Sequence, residues 1–392
     1  MTVAARRFAA FAIAAPGIEP WLARELRALN LAAREDHGGV SFDATLEEIY
    51  RANLWSRLAS RIIVRVAEFR VRALGELVRR AGAIPWEEWL GPNARVRVRA
   101  TARKSRLYHT GAIAERVLEG ISSRLPVRVS AAQADPPPPD DEHEGADEQL
   151  LIVRIAHDVC TISLDSSGAL LHRRGYRQAV AKAPLRETLA AAMLAAADWQ
   201  PTEPLADPFC GAGTIAIESA MISRDIAPGT NRSFAFEHWP RHQGERWRAI
   251  RDEAQERTRP ATAAPILASD RDAGAVTAAR DNAKRAGVQH DVQIAHAALS
   301  AASLGGAGGW IVTNPPYGMR VGEAAQLRDL YAVLGRAARD GRHPLVLLSA
   351  DPALERQLRL PLQTLLVTRN GGITVSVRRT VVPDRAPEGQ SA

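Results

Sequence analysis

Pro204-Leu205-Ala206-Asp207-Pro208-Phe209-Cys210-Gly211-Ala212-Gly213-Thr214-Ile215-Ala216-Ile217-Glu218-Ser219-Ala220 reads as a short apolar strand, a glycine turn and the opening of a helix. Lacking Cβ atoms, Gly211 and Gly213 let the backbone turn sharply and approach a ligand closely. The helix that follows offers unpaired N–H groups and a positive dipole end. This geometry binds nucleotide-like cofactors. Gly211-Ala212-Gly213 with Ala216 also satisfies the dinucleotide spacing G-x-G-x-x-G/A, so the glycines alone leave the cofactor open. Two acids narrow it. Asp207 ends the strand just ahead of the glycines, where its carboxylate repels a pyrophosphate and attracts a cation. Asp270, in Ala268-Ser269-Asp270, lies far beyond the roughly 20 residues expected of a ribose-binding acid in a dinucleotide fold. S-adenosylmethionine carries an ammonium and a sulfonium and no phosphate, and an acidic lip fits it.

The 392 residues allow two domains with full cores, and 46% hydrophobic and 24% charged residues are ordinary for a soluble protein. Lysine and arginine outnumber acids 51 to 44, a balance compatible with a nucleic-acid partner without requiring one. Only Lys104, Lys182 and Lys284 are lysines, so the positive charge is nearly all arginine, which suits bidentate phosphate contacts; an Arg-rich coding bias explains it equally. Cys160 and Cys210 make neither a disulfide framework nor a C-x-x-C metal site. No signal peptide is read at the N-terminus, and no apolar run approaches the ~20 residues of a membrane span. A cytoplasmic protein without metal or membrane partner is expected.

Up to Phe69 the chain alternates strand and helix patterns, suggesting a small α+β unit of ferredoxin-like type, with Asp43 as N-cap of a helix from Thr45 to Leu54. Arg95-Val96-Arg97-Val98-Arg99-Ala100 then alternates strictly, placing three arginines on one face of a strand. Arg103, Lys104 and Arg106 follow, and no acid lies between Arg95 and Arg106. Such a row can track a phosphate backbone or be a solvated strand face. Residues 134–148, with four consecutive prolines, read as a surface loop or disordered insert. Leu171-His172-Arg173-Arg174-Gly175-Tyr176-Arg177 is a basic connector that suits an RNA path or a plain linker. From Ala183 strands alternate with longer helices, the pattern of a doubly wound parallel sheet ending in an antiparallel hairpin through Asn370-Gly371-Gly372. Residues 223–265 look like an insertion whose Phe234, Phe236, Trp239 and Trp247, among arginines, either stack bases or pack a core.

Thr313-Asn314-Pro315-Pro316-Tyr317-Gly318 follows an apolar strand. The prolines fix an extended turn, holding the Asn314 side-chain oxygen and Pro315 carbonyl as convergent acceptors beside the Tyr317 ring. An exocyclic base amine is a poor nucleophile because its lone pair is conjugated into the ring. Two acceptors gripping its hydrogens orient it and stabilise the positive charge that develops as it attacks a methyl group.

Asp207 to Thr214 with Asn314 to Tyr317 resembles the class I methyltransferases that modify exocyclic amines of nucleic-acid bases. Together with Tyr50-Arg51-Ala52-Asn53-Leu54-Trp55-Ser56-Arg57, Ser163-Leu164-Asp165-Ser166-Ser167-Gly168, residues 171–177 and Ala183-Pro184-Leu185-Arg186-Glu187-Thr188-Leu189-Ala190, the chain resembles the THUMP-domain RNA guanine-N2 methyltransferases, nearest those acting on 23S rRNA. The resemblance covers about residues 7 to 382. It implies an α/β protein: a C-terminal Rossmann-like class I methyltransferase sheet preceded by an α+β ferredoxin-like and THUMP RNA-binding module. The expected divisions are 1–70 ferredoxin-like, 71–165 THUMP, 166–182 basic connector, 183–384 methyltransferase and 385–392 disordered tail. It further implies that Asp207, Phe209, Gly211, Gly213 and Thr214 line the methionine end of S-adenosylmethionine, that Asp270 accepts the ribose hydroxyls, and that Pro184, Arg186 and Thr188 sit on the donor's far side. Asn314, Pro315, Pro316 and Tyr317 would hold the guanine. Arg95, Arg97, Arg99, Arg103, Lys104, Arg106, Arg173 and Arg174 would contact RNA. Where the family carries an acid for the adenine amine, this chain has Ile294-Ala295-His296-Ala297-Ala298, so His296 or a backbone carbonyl is expected to replace it. A second methyltransferase activity is not expected. The same chemistry on tRNA, adenine-N6 methylation, and a non-catalytic RNA-binding assembly factor are the competing readings.

Overall fold

The strict alternation from Arg95 becomes a nine-residue strand with Val96 and Val98 buried beneath it and Arg95 exposed. The computed structural model describes residues 6–129, 148–178, 185–317 and 324–381. The described part of the chain opens with β1 (Phe8–Ile13), α1 (Glu19–Ala28), β2 (Arg34–Asp36), β3 (Gly39–Ala44), α2 (Leu46–Trp55) and β4 (Arg61–Arg70). It continues through α3 (Leu74–Gly82), β5 (Arg95–Arg103), α4 (Thr110–Ser122), β6 (Arg128–Val129), β7 (Glu148–Ala156) and β8 (Val159–Asp165). The cap of α2 is Thr45 rather than Asp43: its hydroxyl accepts from the Glu48 amide at 3.2 Å, and the Glu48 carboxylate accepts from the Thr45 amide at 2.7 Å.

All eight strands form one sheet, in the order β2-β3-β1-β4-β8-β7-β5-β6. The two modules expected at 1–70 and 71–165 thus share a sheet: β4 pairs with β1 through Arg61–Val64 and with β8 from Ile63 onward. The motifs at 50–57 and 163–168 meet there. Asn53 Nδ2 donates to the Ser166 hydroxyl at 2.8 Å, and the Ser167 hydroxyl donates to Asn53 Oδ1 at 2.7 Å. Buried Arg61 pairs with buried Asp165, whose carboxyl is pushed up by burial and held down by that guanidinium. These motifs are structural.

The chain divides into two compact units, the first comprising 1–14, 22–173 and 229–254, the second 15–21, 174–228 and 255–392. Residues 229–254 therefore belong to the N-terminal unit, although they lie inside the stretch expected to be methyltransferase. Aromatic packing explains it. Phe236 stacks on Tyr50 with centroids 4.4 Å apart, and Trp239 meets Trp89 edge-on at 5.1 Å while donating to Gln149 Oε1 at 2.7 Å. Phe234, Phe236, Trp239 and Trp247 are all buried, so of the two open readings they follow core packing.

The second unit contains α5 (Glu187–Ala197), β9 (Leu205–Asp207) and α6 (Thr214–Ser223). After α7 (Gly244–Glu256), which lies largely in the first unit, come β10 (Ile266–Asp270), α8 (Ala273–Arg285), β11 (Val292–His296), β12 (Trp310–Thr313), α9 (Ala324–Asp340) and β13 (Leu345–Ser349). The short α10 (Pro352–Glu355), β14 (Leu362–Asn370) and β15 (Ile373–Thr380) follow. Strand order is β11-β10-β9-β12-β13-β15-β14, with the first five parallel and the last two forming the antiparallel hairpin. β9, β12 and β13 are buried along their whole length, as strands covered on both faces must be. Leu327, Tyr331, Leu334 and Ala338 of α9 share one face and pack with Ile311, Leu345 and Leu347. Sheet order reverses at β9 and β12, placing a crevice at their carboxyl ends. Among the described residues no helix is long and apolar enough to cross a membrane.

Candidate active site

The carboxyl ends of β9, β10 and β12 deliver Asp207, Asp270 and Asn314 to one side of the second unit. A cleft of about 550 Å³ opens there, lined by Asp207 to Ala212, Thr214, Asp270, Arg271, Asn314 and Pro316, with Leu185, Ala298 to Ser300 and Leu327, Leu330 and Val333 of α9 supplying further wall. Asp207 is 2% exposed; its Oδ1 accepts from the Thr313 hydroxyl at 2.6 Å and the Phe209 amide at 3.3 Å. Burial pushes its carboxyl up to about 7, and the nearby Asp270 charge pushes the same way. Asp270 braces the glycine turn: Oδ2 accepts from the Gly211 amide and Oδ1 from the Asp272 amide, both at 2.9 Å. Gly211 and Gly213 both adopt positive φ, 51° and 85°. A Cβ at Gly211 would meet no protein atom within 4 Å, so the turn leaves room for a ligand, whereas at Gly213 it would press on Ala279 and Ile217 at 3.1 and 3.2 Å. Asn314 Oδ1 is buried in the cleft and has no hydrogen-bond partner among the described residues. A buried acceptor left open costs free energy unless a ligand donor completes it. The Tyr317 hydroxyl accepts from Asn370 Nδ2 at 2.8 Å, tying the ring to the hairpin. Among the described residues the cleft is lined by two carboxylates and a single arginine, Arg271, a balance that suits a cationic, phosphate-free ligand.

Residues 174–365 match the family described as "RMKL-like, methyltransferase domain", residues 71–165 the THUMP domain and residues 9–63 the RlmL ferredoxin-like domain. The chain is 36% identical over 332 residues to the protein named "Putative RNA methyltransferase YpsC" of Bacillus subtilis, covering 85% of each. The chain belongs to the THUMP-domain RNA methyltransferases. It is also 38% identical over 377 residues to Ribosomal RNA large subunit methyltransferase K/L of Syntrophotalea carbinolica, covering 93% of this chain and 52% of that one. It therefore spans about half the length of that relative. The crystal structure of SMU.472 complexed with SAH superposes with a TM-score of 0.83 at 30% identity, covering 96% of this chain and 98% of that one. The class I fold and the use of S-adenosylmethionine follow from this membership.

Within this THUMP-domain methyltransferase the expected donor residues divide. Asp207, Phe209, Gly211, Thr214 and Asp270 line the cleft, and Gly213 shapes its turn. Pro184 lies outside the described residues. Neither Arg186, at the cap of α5, nor Thr188, buried in its first turn, is among the residues lining the cleft; Leu185 between them is. His296 is not a lining residue either. Its Nε2 donates to the Arg271 carbonyl at 3.0 Å, and Ala298, Leu299 and Ser300 take the wall expected of it.

The basic connector differs most from expectation. Arg174 is 2% exposed and pairs with fully buried Glu218 at 3.5 Å, so it faces the interior rather than solvent. Buried Tyr176 donates to Glu218 at 3.2 Å. Arg177, which sequence reasoning did not select, pairs with Glu187 at 3.2 Å and donates to the Thr214 hydroxyl at 2.6 Å and the Leu185 carbonyl at 2.7 Å. It thereby fixes two cleft-lining residues from the starts of two helices. In the sequence Arg177 is one more charge in a basic run, and its role shows only once α5 and α6 are placed. In the first unit, Arg97 is committed to Glu148 at 2.8 Å; Arg99 and Arg173 are half-buried, and Arg95, Arg103, Lys104 and Arg106 remain exposed.

Proposed function

We propose that this chain transfers a methyl group from S-adenosylmethionine to the exocyclic N2 amine of a guanosine in 23S rRNA. Asn314 Oδ1 and the Pro315 carbonyl hold the amine hydrogens, Pro316 keeps the turn rigid, and Tyr317 stacks on the base. The observation that carries the reading is the buried, open acceptor of Asn314 in the same cleft as Asp207 and Gly211. Asp207 meets the positive methionine end of the donor and Asp270 the ribose. The name of the K/L relative supports large-subunit rRNA as the substrate. Methyl transfer from labelled S-adenosylmethionine, offered separately to protein-free 23S rRNA, 16S rRNA and bulk tRNA from a strain lacking the gene, tests it. N2-methylguanosine in 23S rRNA alone is the expected result. The same nucleoside in tRNA would replace the substrate, N6-methyladenosine would replace the chemistry, and donor binding without transfer to any RNA would favour an assembly factor.

Donor affinity should depend on pH through Asp207. As pH falls through about 7 its carboxylate takes up a proton and stops attracting a cationic donor. The Kd for S-adenosylmethionine, measured by calorimetry, should rise on acidification below that point, approaching about tenfold per pH unit for one linked proton. Asp207→Asn should bind more weakly by about 1.5–3 kcal/mol and lose the dependence. In the free protein the sign reverses. A carboxyl whose folded value lies above its unfolded one favours folding most at low pH, and that contribution is lost as pH rises through about 7.

A further inference from the structure

We infer that Tyr108 is a stacking platform for an unpaired base of the RNA substrate, with the phosphates flanking that base carried by Arg103, Lys104 and Arg106. The inference rests on the RNA-modifying role proposed above. At 67% exposure Tyr108 is the most exposed large hydrophobic residue described, and the others so exposed, Val367, Ile373 and Val381, are aliphatic. Its loop is nonetheless firmly built. Lys104 turns the chain at φ 49°, and the Ser105 hydroxyl donates to the Arg103 carbonyl at 2.9 Å. Asp158 clamps it: one oxygen accepts from the Arg106 amide at 2.8 Å, the other from Arg72 Nε at 2.9 Å, while its own amide donates to the Ser105 hydroxyl at 3.1 Å.

A loop fixed this way presents its ring to water for no gain in folding, which is the arrangement of a binding residue on a rigid scaffold. His109 lies beside the ring at 4.1 Å between centroids, tilted by 39°. Along the chain on either side of the ring the charge has one sign. Arg103, Lys104 and Arg106 are exposed, and the sequence holds no carboxylate from Arg95 to Ala114. The acid that does reach the loop, Asp158, is spent on the clamp. An exposed aromatic among cations binds unpaired nucleotides, whose base faces are open, whereas an A-form duplex buries its base faces in its own stack.

The test compares the full chain with Tyr108→Ala, Tyr108→Phe and Lys104→Ala. Binding is measured by fluorescence anisotropy against a short single-stranded oligoribonucleotide, the same sequence as a duplex, and a single strand with abasic positions, each over a range of salt. Tyr108→Ala should weaken single-strand binding about tenfold, within the range for loss of one stacked base, without changing the slope of log Kd against log salt. Tyr108→Phe should bind like the wild type, and Lys104→Ala should lower the slope by about one. Unchanged single-strand binding by Tyr108→Ala, as a protein partner for this loop would give, overturns the inference and leaves the RNA reading standing. So does an equal loss on the duplex and abasic probes. No RNA binding by the wild type overturns both.

Discussion

Asn314→Ala should lower kcat by about 10²–10³-fold, the loss typical of removing one preorganised polar group from a transition state, with the Kd for S-adenosylmethionine unchanged. The side-chain oxygen is buried, belongs to a cleft-lining residue and has no hydrogen-bond partner among the described residues. Removing that oxygen therefore breaks no hydrogen bond to it among the described residues, and on the proposed reading it deletes the contact to the base. Selectivity for kcat follows from when the contact strengthens. The amine nitrogen acquires positive charge as the methyl arrives, so its hydrogens are gripped more tightly in the transition state than in the ground state. Asn314→Asp, which keeps an acceptor in place, should lose less than Asn314→Ala. Single-turnover methylation with calorimetric donor titration checks this. Equal loss of donor binding and turnover would show that Asn314 shapes the donor site rather than holding the base.

Arg177→Ala should cost about 3–5 kcal/mol of folding stability, the usual result of stripping one partner from a buried ion pair. Glu187 is left behind, its side chain only 3% exposed. Burial already pushes that carboxyl up to about 7 against the opposing pull of Arg177, so the variant's carboxyl will protonate at still higher pH. The sign follows: the stability difference between variant and wild type should be largest above pH 7 and shrink towards pH 5, where Glu187 is neutral in both. Urea denaturation across that range measures it. Arg177→Ala combined with Glu187→Gln removes the stranded charge and should recover most of the stability. It should not recover donor affinity, because Thr214 and Leu185 have lost the guanidinium that holds them. A double variant that binds S-adenosylmethionine as the wild type does would reduce Arg177 to a structural role.

The parts of this protein legible in its sequence are those written in local geometry. Alternation at Arg95–Ala100 gives β5, and the glycine turn and the Asn-Pro-Pro run each place their own backbone. Asp207, Asp270 and Asn314 meet because a parallel sheet aligns the ends of its strands, and that pattern is readable from strand–helix alternation. Long-range pairing is not. Arg174 and Arg177 look like surface charge until Glu218 and Glu187 are brought behind them by two helices. Arg97 looked like part of an open row because its partner, Glu148, lies on a parallel strand beyond a long intervening stretch. His296 was chosen for its place at the end of the third methyltransferase strand, β11, but its ring turns to the Arg271 carbonyl and the wall is made by Ala298, Leu299 and Ser300, none of which carries a charge to mark it.

The return of residues 229–254 to the first unit sets a timetable for synthesis. The eight-stranded sheet is complete once Asp165 has been made, yet Tyr50 and Trp89 still lack the rings that cover them. Phe236, Trp239 and Trp247 arrive only after the whole donor turn has been translated, a wait on the order of several seconds at ordinary elongation rates. During that interval the nascent chain carries an uncovered aromatic surface and only β9 of the seven-stranded methyltransferase sheet, which receives β10 to β15 later still. Neither unit can finish on the ribosome before the other has begun, so the order of translation interlocks a THUMP module and a methyltransferase domain that are usually drawn as separable parts.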